Sequence, residues 1–141
     1  MEFILSIVIA NIFVSLALLH LFWVFGGQWG ISATIPTDLN GRRLFNPGRL
    51  GTLLVAIGLL FFALINLSAI GIVKVPFENR YVLYGMYVIS GIFLLRFIGD
   101  LKYVGIFKKY RQSVFASRDT YIYSPLSLFL SLSNGILAVL L

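Results

Sequence analysis

Four stretches of the chain hold almost nothing but apolar side chains. The first runs from Phe3 to Phe25, interrupted by only Asn11 and His20 among strongly polar types. The second runs from Thr52 to Val73, the third from Tyr81 to about Ile98 with Arg96 near its end, and the fourth from Ile122 to Leu141. A helix needs about 20 apolar residues to cross the hydrocarbon core, and each run is near that length. None alternates with period two as a barrel strand would. The pattern predicts an all-α fold, a bundle of four transmembrane helices forming one membrane domain over residues 1–141.

Start and stop signals extend the runs to helices of about 3–25, 47–73, 80–98 and 122–141. Asn46-Pro47 and Ser124-Pro125 each read as an N-cap followed by proline at the first helical position, where a missing N–H is harmless. Asn79 is the expected cap of helix three, and Lys74 with Pro76 closes helix two. Gly26, Gly27 and Gly30 flank Trp29; they are expected to end helix one and to allow a tight re-entry, since glycine tolerates positive φ. A phosphate-cradling loop would need a helix start there, and the pattern offers none. In Leu101–Arg111, LKYVGIFKKYR, Leu101, Val104 and Phe107 recur at three-residue steps among basic residues. This predicts a short interfacial helical extension of helix three to about residue 111. The first run has no basic flank, only Glu2, and no small-residue cleavage site follows it, so it is read as a mature helix rather than a signal peptide.

Composition agrees. Sixty per cent of the 141 residues are apolar and 11% are charged, against about 45–50% and about 25% in soluble domains. Mean hydropathy is +0.98. So few charges cannot cover a water-exposed surface, which excludes a soluble enzyme, a disordered tail and a nucleic-acid-binding domain. The net charge of +6 is then a matter of topology and anionic headgroups. Arg42, Arg43 and Arg49 lie in the first long loop, and Lys102, Lys108, Lys109, Arg111 and Arg118 in the second. The other end of the bundle holds only Lys74 and Arg80. By the positive-inside rule both long loops are expected in the cytoplasm and both chain ends outside, in a cytoplasmic (inner) membrane.

Depth then places the polar residues. His20 lies near the inner end of helix one, Arg96 at the inner end of helix three with Asp100 one turn beyond, and Arg118, Asp119, Tyr121 and Tyr123 at the start of helix four. His20 shares a helical face with Leu16, Ala17, Trp23 and Gly27, and Asn11 falls on the opposite face. Ionisable residues in a membrane usually face a bundle interior or a wet cavity; the plainer reading is that His20 hydrogen-bonds a neighbouring helix. Arg96 and Asp100 have the four-residue spacing of an ion pair, although Arg96 could equally snorkel to phosphates with Asp100 neutralising it. Arg118 and Asp119 do not share a face, so each is expected to pair across the structure. A crossed arrangement, Arg96 with Asp119 and Arg118 with Asp100, is the other option. Trp23, Trp29, Tyr103, Tyr110, Tyr121 and Tyr123 fit an aromatic belt, or else wall a ligand slot.

Several chemistries drop out. There is no cysteine, hence no disulfide, thiolate ligand or cysteine nucleophile. One histidine and scattered acids do not suit a metal site. A haem would need a second axial ligand, and Met86 lies roughly 18 Å from His20 in depth at 1.5 Å per residue; no cofactor is expected. Acid–base chemistry by His20 with Asp100 or Asp119 is the one catalytic option left.

The motif residues gather at the same inner end. His20-x-x-Trp23-x-x-Gly26-Gly27-x-Trp29-Gly30, Ile35-Pro36-Thr37, Phe45-x-Pro47, Arg96-x-x-Gly99-Asp100, Tyr103-x-Gly105, Phe115-Ala116-x-Arg118-Asp119 and Tyr123-Ser124-Pro125-Leu126 together resemble a bacterial membrane family catalogued as domain of unknown function 3995. The resemblance covers nearly the whole chain and implies a small four-helix integral membrane protein. It carries no activity and no catalytic residues to transfer.

The leading functional expectation is a site for a small amphipathic ligand at the cytoplasmic leaflet. A lipid, quinone or isoprenoid-like molecule would place its tail among Phe and Leu, and its head against His20, Trp23, Trp29, Arg96, Asp100, Arg118, Asp119 and Tyr123. The rivals are a small oligomeric transporter or channel, disfavoured because helices one, two and four hold no acid for proton coupling, and a structural or accessory subunit. The last predicts that alanine at His20 or Arg96 affects assembly alone. The expected surroundings are membrane lipids, with oligomerisation open and no nucleic acid.

Overall fold

Leucine, isoleucine and phenylalanine lie on every face of the long helices, the composition of segments solvated by lipid rather than water. The computed structural model describes all residues, 1–141. Four helices run up and down: α1, Glu2–Val24; α2, Arg49–Ala69; α3, Asn79–Ile98; and α4, Val114–Leu140, in which Asp119–Tyr123 forms a π-helical turn. All four are long and apolar enough to cross a membrane. There is no strand, only one isolated bridge between Thr37 and Arg43. On α1, Ile4, Leu18 and Phe22 face outward while Ile9, Phe13 and Ala17 are buried. In water such exposure would make a large sticky patch; in acyl chains it costs nothing.

Association of helices in lipid draws on close packing and polar bonds, because the surroundings are as apolar as the interface. The bundle uses both. α1 packs on α2, where Ala10 and Ala17 of α1 and Ala63 of α2 belong to one buried core. α3 packs on α4, where Ser90 and Ser131 each donate to the other's carbonyl at 2.8 Å. Fewer contacts join these two hairpins. Asn66 of α2 donates to the Asn134 amide oxygen at 3.0 Å, a buried bond of about 0.6 kcal/mol by membrane averages. It ties the hairpins together at the end holding the chain termini and the short α2–α3 turn. The two long loops meet at the opposite end, where the Tyr123 hydroxyl donates to the Ala33 carbonyl at 2.9 Å.

Several helix ends differ from expectation. α2 starts at Arg49 with Gly48 as its extended N-cap, so Asn46 and Pro47 precede the helix and do not cap it. It stops at Ala69, where Gly71 turns the chain and the Ile72 N–H bonds Leu67 O at 3.0 Å, before Lys74 and Pro76 are reached. α3 is preceded by Glu78 as N-cap, and Asn79 is already helical. The interfacial extension of helix three is absent: residues 101–111 form an irregular loop. Helix four begins not at Ser124-Pro125 but at Val114, capped by Ser113, whose hydroxyl accepts the Ala116 N–H at 2.9 Å. The π turn carries the helix past Pro125, which therefore sits inside it rather than at its start.

Candidate functional site

At the loop end the two hairpins part. Between them lies a cavity of about 500 Å³, within the ordinary range for small-molecule sites. Its floor is aromatic. Phe62 and Phe93 line it, with ring centroids 6.3 Å apart. Phe13 lies fully buried behind both, 5.6 Å from each. Leu16, Leu59 and Leu126 continue the apolar wall. The polar groups gather higher, from four elements: His20 of α1, Arg96 of α3, Tyr123 and Ser127 of α4, and Thr34 of the first loop.

His20 is half-buried, edge-on to Trp23 at 5.0 Å between centroids. Its Nδ1 lies 2.7 Å from the Leu16 carbonyl. A carbonyl can only accept, so Nδ1 carries a proton, and it is Nε2 that is left free to face the cavity. The Trp23 indole donates to the Trp29 carbonyl at 2.8 Å, which together with Tyr123–Ala33 draws the first loop over the cavity mouth.

Arg96 joins the cavity to a buried charge cluster. Its Nη2 contacts Asp119 Oδ1 at 3.0 Å, and Lys108 Nζ contacts Oδ2 at 3.2 Å. Asp119 and Lys108 side chains are both 0% exposed. The carboxylate also accepts the Gly105 N–H at 2.7 Å and the Ser124 hydroxyl at 3.2 Å. The Lys108 ammonium donates further to Gly105 O and to the Thr120 hydroxyl. The other Arg96 terminal nitrogen, Nη1, is buried without a hydrogen-bond partner. Two cations therefore share one anion.

The loop after α3 is shaped to deliver Gly105 and Lys108 to Asp119. Asp100 Oδ1 gathers the N–H groups of Lys102, Tyr103 and Val104 at 2.8–2.9 Å. Slight burial pushes its carboxyl up, but these backbone donors outweigh that and hold it below the usual carboxylate range. Gly99 and Gly105 then cross backbone to backbone. A Cβ on Gly99 would strike the Val104 carbonyl, and one on Gly105 the Ile98 carbonyl.

Of the residues expected to form the site, His20, Trp23, Arg96 and Tyr123 line the one cavity. Trp29 does not; its side chain is 75% exposed and only its carbonyl takes part. Asp100 is spent inside its own loop and makes no ion pair with Arg96. Arg118 is exposed and forms no salt bridge, so only the Arg96–Asp119 half of the crossed arrangement exists. Asp119 stands behind Arg96, outside the cavity lining, and neither aspartate reaches His20. Lys108 escaped the sequence reading, where it counted as one more loop charge. Its signal lay in Gly99 and Gly105, which precede it and weaken a helix through this stretch.

The family model described as "Protein of unknown function (DUF3995)" matches residues 13–134. Comparison with curated proteins and with solved structures returns no match.

Proposed function

The chain belongs to the DUF3995 family, and we propose that it is an integral membrane protein that holds one small amphipathic molecule, lipid-, quinone- or isoprenoid-like, in the cavity between its hairpins. The observation that carries this is the polarity gradient of that cavity: a phenylalanine floor at one end, and His20, Arg96 and Tyr123 at the other. A tail fits the first and a head the second. Binding is favoured over acid–base catalysis because Asp100 and Asp119 are both committed to internal bonds, which leaves His20 without a paired acid. No Asp or Glu lines the cavity, so a proton-coupled transporter is the weaker reading.

Gly58 supplies a direct test. It lines the cavity, and a Cβ there meets nothing within 4 Å. Gly58→Leu therefore intrudes on the cavity and obstructs it without disturbing backbone. Purified in mild detergent and extracted for mass spectrometry, the wild-type protein should release a stoichiometric amphiphile and the variant less than a tenth as much. Equal release from both would rule the cavity out as the binding site. We further place the two long, basic loops in the cytoplasm. A C-terminal reporter should then be active only in its extracytoplasmic form, and activity of a cytoplasm-only reporter would reverse the orientation.

A further inference from the structure

The cavity has a side opening. α2 and α3 touch near their connecting turn, where the Ile65 side chain comes within 3.0 Å of the Cβ position of Gly85. Towards the loop end both helices contribute to the cavity lining. Val55 and Gly58 of α2 and Ile92 of α3 all line the cavity, yet Val55 is 48% and Ile92 44% exposed. The cavity is open rather than enclosed beside these residues, so the gap between the two helices can serve as a window. Gly58 is about nine residues, or roughly 14 Å, into α2, at acyl-chain depth. A molecule entering there comes from the bilayer and not from water.

Charge narrows its identity. Arg96, Lys108 and Asp119 carry one positive charge more than they neutralise, with Lys108 and Asp119 wholly buried and the Arg96 side chain 32% exposed. Uncompensated charge in such a place is costly, and Arg96 Nη1 still lacks an acceptor. A neutral quinone would leave both unanswered. A singly charged phosphate or carboxylate head would answer the charge, and would answer the nitrogen too once the guanidinium turns to present the now enclosed Nη1 to the cavity.

We infer that the occupant is a membrane lipid with a monoanionic head, taken sideways through the α2–α3 window with its head on Arg96. This rests on the cavity-binding function proposed above. The whole chain would be placed in nanodiscs of phosphatidylcholine containing a minor fraction of phosphatidylglycerol or, in a second arm, oleate. Lipids retained after brief delipidation would be counted by native mass spectrometry. One anionic lipid per protein is expected, enriched at least tenfold over phosphatidylcholine; the richer arm identifies the head as phosphate or carboxylate. Arg96→Gln should bring the enrichment close to parity, and Arg96→Lys should keep most of it. Lys108→Met offers an independent route, because it neutralises the cluster from a residue that does not line the cavity; it too should cut the enrichment about tenfold. Equal retention of phosphatidylcholine by the wild type, or enrichment that survives both neutralising changes, would overturn the anionic assignment. If Gly58→Leu still emptied the cavity in that case, the binding function itself would stand. Displacement of the lipid by millimolar inorganic phosphate alone would overturn its bilayer origin.

Discussion

Asp119→Asn should destabilise the protein by about 3–5 kcal/mol, the usual consequence of removing one partner from a buried ion pair. That is a large share of the roughly 5–15 kcal/mol that holds a typical domain folded. Asparagine keeps an acceptor for the Gly105 N–H but abolishes the only anion serving Arg96 and Lys108. Arg96 can relieve itself towards the surface, its side chain being 32% exposed. Lys108 cannot, and should dominate the loss. The double variant Asp119→Asn with Lys108→Met is therefore expected to recover part of the stability, because the stranded ammonium has gone. Denaturation midpoints in detergent for the wild type, both single variants and the double variant form a mutant cycle. Additive losses would mean that Asp119 does not act through Lys108.

A second large effect is expected at Gly99. Its backbone, at φ 71° and ψ −157°, occupies a region that only glycine enters without strain, and an added Cβ would meet the Val104 carbonyl. Gly99→Ala should cost about 3 kcal/mol. It should also loosen the loop that brings Gly105 and Lys108 to Asp119, visible as faster amide exchange across residues 100–110. Gly58→Ala is the control. That glycine lies within α2 with open space around its Cβ position, so alanine should stabilise the helix by up to about 1 kcal/mol. Similar losses from both substitutions would contradict the crossing described for the loop.

How much of this could be read from the chain depends on the length scale of the signal. Four apolar runs of bilayer length leave little choice of fold, and the long helices follow them. Helix ends are set by a few atoms and went astray where local chemistry serves another purpose. Ser124-Pro125 looks like a helix start because serine caps and proline opens. In the structure the Ser124 hydroxyl donates to Asp119 Oδ1, five residues earlier on a helix already under way. LKYVGIFKKYR looked helical because apolar residues recur every third position, but Gly99, Asp100 and Gly105 fold it back on itself. The site was partly visible. His20 and Trp23 share a face by spacing alone, and Arg96 reaches the same depth from α3. Which anion Arg96 pairs with was not decidable, because Asp100 has the better spacing and Asp119 the better position. The role of Gly58 had no signal, for an interior glycine says nothing about the empty space beside it.

The π turn at Asp119–Tyr123 sets the angular phase of α4. A π turn holds an extra residue compared with an α-helical one, and each α-helical residue advances about 100° around the axis. Were the turn to relax to α geometry, everything on one side of it would rotate by about that angle relative to the other. Asp119 at its start meets Arg96 and Lys108; Tyr123 at its end and Ser127 one turn beyond line the cavity. With the extra residue both sets point inward together. Without it, aligning one set would swing the other towards lipid. The irregular turn thus works as a fixed angular offset, letting a single helix serve the charge cluster and the cavity at the same time.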